Sequence, residues 1–205
     1  MINITQTDYI DFISKSGISK LTKVRSLVGR QDYHPSFDFY KKLRDKIIDN
    51  LKSGKKKHEL HDFVSQEITD SKKLTRYRIL VDGLSKFLGR KKTLWFDPPS
   101  TTWSYKDLRI KMNPELGLDL NGEKFIIKLY FKDTSLQRKD IKVLLWIMNQ
   151  SLSRGIFTGY KCALLDVEKG KIFPFVEDDI EINALVEGEA EYFLKLWHQL
   201  DKKYA

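Results

Sequence analysis

Glu115, Asp119 and Lys128 are the residues of this 205-residue chain whose types and spacing could do chemistry together. They flank Asn121-Gly122, a pair in which both residues tolerate positive φ and which therefore closes two-residue hairpins. With that turn, Asp119 pairs with Lys124, Leu118 with Phe125, Gly117 with Ile126, Leu116 with Ile127 and Glu115 with Lys128. Alternation then puts Leu116, Leu118, Leu120, Phe125, Ile127, Leu129 and Phe131 on one face, all of them core. Glu115, Gly117, Asp119, Lys124, Ile126, Lys128, Tyr130 and Lys132 take the other. Hard carboxylate oxygens hold Mg²⁺, and the bound ion stabilises charge on a phosphodiester and activates water. A lysine beside it supplies positive charge or takes a proton. On this reading Glu115 and Lys128 are catalytic, and Glu115 and Asp119 hold Mg²⁺. The same residues also have a purely structural use, because opposite charges across paired strands stabilise a solvent-facing hairpin by roughly 0.2–1 kcal/mol each.

The elements that must position these residues follow from periodicity. Before residue 90 the apolar spacing is helical: Tyr9 to Ile13 after a Thr5 or Thr7 cap, Ile18 to Val28, and Phe37 to Leu51 opened by Pro35-Ser36. A short turn or two at Leu60 to Ile68 follows, then a clean stripe from Leu74 to Leu88 capped by Asp70 or Ser71. After Gly89 the period becomes two, predicting strands at Thr93–Phe96 and within Tyr105–Met112, and then the hairpin. Thr134 and Gln137 match a capping box for a buried helix to about Leu152. A strand at Tyr160–Val167, a hairpin through Glu168-Lys169-Gly170 and a helix around Phe193 to Tyr204 close the chain. The expected fold is α/β (α+β), a mixed sheet of four to five strands flanked by helices. Residues 1–70 form a basic helical lobe, and 71–205 form the core with its C-terminal helix.

The order helix, strand, strand, strand, helix, strand resembles the PD-(D/E)xK nuclease family over about residues 72–173. Pro114-Glu115 stands for the family's Pro-Asp pair and Ile126-Ile127-Lys128 for its Asp/Glu-x-Lys motif. The resemblance implies a metal-dependent nuclease, with Glu115 binding metal and Lys128 activating water or phosphate, or an inactive relative. Mg²⁺ is the implied cofactor if the site is catalytic, and none otherwise. Ile126 departs from the pattern, because an isoleucine stands where the family places a carboxylate.

Charge points to the same class of partner. Residues 1–92 hold 21 Lys or Arg against 11 Asp or Glu, and residues 93–205 hold 16 against 17, so the net +9 originates in the first half. Such asymmetry orients an approaching polyanion. The expected phosphate contacts are Lys41, Lys42, Lys55, Lys56, Lys57, Lys72, Lys73, Arg76, Arg90, Lys91 and Lys92, with nucleic acid as partner, DNA before RNA. The second reading is a non-catalytic module of a mobile-element or defence system, docking a protein partner through its acidic C-terminal segment or aromatic patches.

Other chemistry is excluded. His58 and His61 stand three apart rather than the four of a zincin helix, and no Walker loop, dinucleotide glycine pattern or nucleophile elbow is present. A single cysteine, Cys162, leaves no internal disulfide or Cys-rich zinc site, which predicts a reducing, cytoplasmic setting. Apolar runs reach only about five residues against the ~20 of a membrane span, so no membrane partner is expected.

Overall fold

The computed structural model describes residues 1–30, 38–55, 58–177 and 181–204. Two sheets organise it. A five-stranded mixed sheet has the order β2-β5-β6-β7-β8: β2 (Thr93–Phe96), β5 (Leu116–Leu120), β6 (Glu123–Tyr130), β7 (Lys161–Asp166) and β8 (Lys171–Pro174). A three-stranded sheet has the order β1-β4-β3: β1 (Ile2–Thr5), β4 (Leu108–Met112) and β3 (Thr101–Tyr105). The helices are α1 (Gln6–Ile13), α2 (Gly17–Val28), α3 (Lys41–Lys52), α4 (His58–Glu67), α5 (Ser71–Leu88), α6 (Arg138–Leu152) and α7 (Ile182–Tyr204). The fold is α+β, and among the described residues five helices stand between the short first strand β1 and β2. Among the described residues no helix is long and apolar enough to cross a membrane.

The hairpin forms in the register the turn dictates. Asn121 (φ 57°) and Gly122 (φ 95°) carry the two positive φ angles, and Leu116 pairs with Ile127, Gly117 with Ile126 and Asp119 with Lys124. β6 and β7 are parallel and are joined by α6, because a parallel pair needs a crossover that packs back onto the sheet. The five-stranded sheet separates two cores. Leu116, Leu118, Ile127 and Leu129 pack under α3, α4 and α5. Ile126, Tyr130, Cys162 and Leu164 face α1, α2, α6, α7 and the smaller sheet.

Three local outcomes differ from the expected elements. The box that starts α6 is Gln137 with Asp140, one turn later than Thr134 with Gln137. Thr134 is occupied otherwise, its carbonyl accepting from the Tyr130 hydroxyl at 2.7 Å. β1 and β3 join the alternating strand β4 in a sheet of its own; both are short, and their pairing is set by tertiary contacts rather than by local pattern. The helix expected from Pro35-Ser36 and Phe37 is described only from Lys41, and those three residues lie outside the described segments.

Candidate functional site

The hairpin face that carries Glu115, Gly117, Asp119, Lys124, Ile126 and Lys128 has two unlike ends. The ladder ends at Leu116–Ile127, and just before β5 the Glu115 amide donates to the same Ile127 carbonyl at 3.1 Å, one residue out of register as at a bulge. Lys128 Nζ then reaches Glu115 Oε1 at 2.5 Å, and the Leu129 amide donates to Oε2 at 2.8 Å. Lys128 is 3% exposed. The structure therefore brings the two sequence-predicted catalytic residues together, as a buried ion pair with both carboxylate oxygens engaged. A cavity of about 50 Å³, lined by Glu115, Asp11, Tyr40, Arg44, Tyr130 and Lys132 among others, has room for a few water molecules. The cations around it are committed: Arg44 to Asp38 at 2.8 Å, Lys132 to Asp11.

Asp119 does not join them. It lies four residues along the same strand, a distance of about 13 Å at the rise of a β-strand. Its Oδ1 accepts from the Gly122 amide at 2.7 Å, which braces the turn. Ile126, in the slot of the motif's carboxylate, is 0% exposed inside the core under α6. Mg²⁺ demands near-octahedral oxygen ligation at about 2.0–2.1 Å. One saturated carboxylate beside a lysine does not fit that demand, and among the described residues no three His, Cys, Asp or Glu side chains converge.

The expected phosphate contacts divide by partner. Lys41 pairs with Asp45, Lys42 approaches Glu67 at 4.0 Å, Lys55 approaches Glu59 at 3.8 Å, and Arg76 holds Glu168 at 2.6 Å. Lys73 lies over the Phe39 ring at 5.7 Å, and Lys91 donates to the Phe87 carbonyl. Lys56 and Lys57 lie outside the described residues. Lys72, Arg90 and Lys92 are exposed, and their side chains have no partner among the described residues. Part of the excess in the first half is met by carboxylates from the second, Glu168 returning to Arg76, Glu189 to Lys20 and Asp97 to Lys52, while Asp8, from the first half itself, holds both Lys23 and Arg30.

The turn end of the hairpin gathers cations that the sequence scatters. Asn121 exchanges two hydrogen bonds with Lys92, its amide donating to the Lys92 carbonyl at 3.1 Å and its Oδ1 accepting from the Lys92 amide at 2.9 Å. This fixes the Lys92 backbone beside the turn. Lys124 leaves the turn on β6 and donates to the Tyr160 hydroxyl at 3.1 Å. Lys161 opens β7 opposite Phe125, and Arg154 is held near Tyr160 by the short 3₁₀ segment Gly155–Phe157. Lys161, in register with Phe125, belongs to the opposite face and pairs with Glu123 at 2.7 Å, and the exposed Lys91 turns back to Phe87. Lys92 and Lys124 are exposed on the face that also carries the turn-bound Asp119.

Aromatic rings adjoin them. Phe96, Phe157 and Tyr160 are each half-buried, and Phe96 meets Tyr160 at 5.1 Å and 78°. Gly117 makes this arrangement fit, since a Cβ there would stand 2.6 Å from the Phe96 ring. Sequence reasoning missed Arg154 and Tyr160 as site residues. They reach the turn only through the parallel β6–β7 pairing, and no local pattern reports that. Lys124 was legible from the hairpin register.

Elsewhere, α6 and the edge strand β8 border an apolar cleft of about 770 Å³ lined by Leu145, Trp146, Phe173, Phe175, Val176 and Ile182 among others. Pro174 stands at the free edge of β8, where the missing amide hydrogen discourages a further strand. No family model matches the chain, and no curated protein or solved structure matches it.

Proposed function

We propose that this protein binds nucleic acid at the turn end of its five-stranded sheet, on a core of PD-(D/E)xK-like order that holds the polyanion without cleaving it. One observation carries the reading. The turn end carries the exposed cations Lys92, set against Asn121, and Lys124, set against Tyr160, with the exposed Arg90 and Arg154 on the adjoining segments, and Asp119 on that face is already engaged by the turn. Phosphates need only such charges on a rigid frame, and contacts of that kind give affinity without reading sequence. The order α5, β2, β5, β6, α6, β7, with β3 and β4 as an insertion, supports the family-like core. The saturated Glu115 and the buried Ile126 are why hydrolysis is left out of the proposal.

Fluorescence anisotropy of a labelled oligonucleotide against salt tests this. Engagement of about five phosphates gives log K falling with log salt at a slope of about −3.5 for a single strand and about −4.5 for a duplex. Absence of binding at low salt overturns the proposal, and Mg²⁺-dependent cleavage by the purified protein overturns its non-hydrolytic part.

A second reading, docking of a protein partner, is favoured by the cleft between α6 and β8, where Val176 is 64% exposed. A Val176→Asp variant that loses a partner while keeping nucleic-acid affinity would assign that role to the cleft.

A further inference from the structure

We infer that the nucleic acid held at the turn end is single-stranded, with unpaired bases stacked on the ledge formed by Phe96, Phe157 and Tyr160; the inference rests on the binding proposed above and names its substrate class. The ledge follows from the register. Leu94 pairs with Asp119, and Asp119 pairs with Lys124, whose neighbour across β7 is Tyr160. The next row on that face holds Phe96, Gly117, Ile126 and Cys162. Ile126 and Cys162 are covered by the core, whereas the first row is left open beyond it: Leu94 is 56% exposed. Phe157 closes the group, meeting Tyr160 at 5.4 Å and 89°, and Ile156 beside it is 84% exposed.

An open apolar surface ringed by cations is an awkward surface for water and a good one for a nucleobase. Bases offer a π face on every nucleotide, and the linking phosphates match Lys92 and Lys124 beside the rings and the exposed Arg154 just ahead of Phe157. Lys124 already lies 5.0 Å from the centre of the Tyr160 ring, so charge and ring are presented together. Duplex bases are stacked on one another and cannot reach a ring on a protein surface. Splayed bases can. Phosphate contacts alone would make no use of half-exposed aromatic rings.

Three ligands of equal length separate the terms: a thymidylate oligomer, an abasic phosphodiester oligomer and a duplex, with a uridylate oligomer to compare the sugars. The thymidylate oligomer is expected to bind about 5- to 150-fold more tightly than the abasic one at the same salt. Tyr160→Leu, checked for an unchanged far-ultraviolet spectrum, removes that difference. Lys124→Ala lowers the salt slope by about 0.7 for every single strand. Equal affinity for thymidylate and abasic oligomers, or tighter binding of the duplex, overturns the inference while leaving the cationic interface standing. Failure of all four ligands to bind at low salt overturns the proposed function itself. Should Tyr160→Leu not fold, the ranking of ligands by the unmodified protein decides.

Discussion

The two ends of the β5–β6 face share one strand pair and one register, yet they have opposite fates. At the Glu115 end the carboxylate and the ammonium are enclosed by α1, α3 and the sheet, and each engages the other. At the Lys124 end the face is open, Leu94 being 56% exposed, and Lys124 has only the Tyr160 ring and hydroxyl beside it among the described residues. The same residue types therefore do different work. Enclosed, an ion pair is a structural commitment whose loss is costly. Open, the charges add little to stability and remain free to meet a ligand.

The comparison breaks most plainly at Lys128. Lys128→Ala leaves Glu115 buried with one lost partner, and a destabilisation of about 3–5 kcal/mol is expected in urea unfolding. The double change Lys128→Met with Glu115→Gln should recover most of that loss, because the uncompensated charge is gone. Lys124→Ala, its counterpart at the open end, should fall within about 0.5 kcal/mol of the parent. A similar cost at both ends would dissolve the distinction.

Gly117→Ala sharpens the boundary between the ends. Its Cβ would stand 2.3 Å from the Phe96 carbonyl oxygen, so β2 or the ring must shift, at about 1–3 kcal/mol by thermal or chemical unfolding. The same variant should weaken thymidylate binding if the ledge is used, whereas Asp119→Ala, which only loosens the turn, should not.

A smaller effect depends on pH. Asp8 is largely buried, which alone would raise its pKa, but the Arg30 guanidinium at 2.7 and 2.9 Å, Lys23 and the Thr5 hydroxyl outweigh burial and hold it well below the usual carboxylate range. A carboxylate depressed on folding contributes stability above its unfolded pKa of about 3.9, and that contribution is lost as pH falls toward the folded value. Urea midpoints should therefore drop below about pH 4, and Asp8→Asn should flatten that part of the profile. Burial pushes the Cys162 thiol up to about 12, so a thiol reagent should modify it only as fast as the protein unfolds.

How much of this was legible in the sequence depends on the range of the cause. Asn121-Gly122 acts locally, and the whole hairpin register followed from it, including the meeting of Glu115 with Lys128. The apolar stripes of α5 and α6 act over a few turns and were equally plain. β1 and β3 were not, because four or five residues of mixed character become strands only when β4 lies beside them. Asp119 shows the limit of face assignment: alternation puts it on the same side as Glu115, but says nothing of the strand length between them. Charge summed along the chain likewise does not report which cations are paired in space. Glu168 and Glu189 are remote in sequence from Arg76 and Lys20 and adjacent in space. The meeting of Lys92 with the turn and of Lys124 with Tyr160 arises from a hairpin and a crossover together, which no window of sequence contains.

The salt dependence of oligonucleotide binding tests the central claim most directly, measured in parallel on the parent protein, Lys92→Ala with Lys124→Ala, and Lys128→Met with Glu115→Gln. The account predicts a steep negative slope for the parent, a slope shallower by about 1.4 for the open-end variant, and no change for the enclosed pair. A slope unaffected by the open-end changes, or one altered by the enclosed pair in a folded protein, would contradict it.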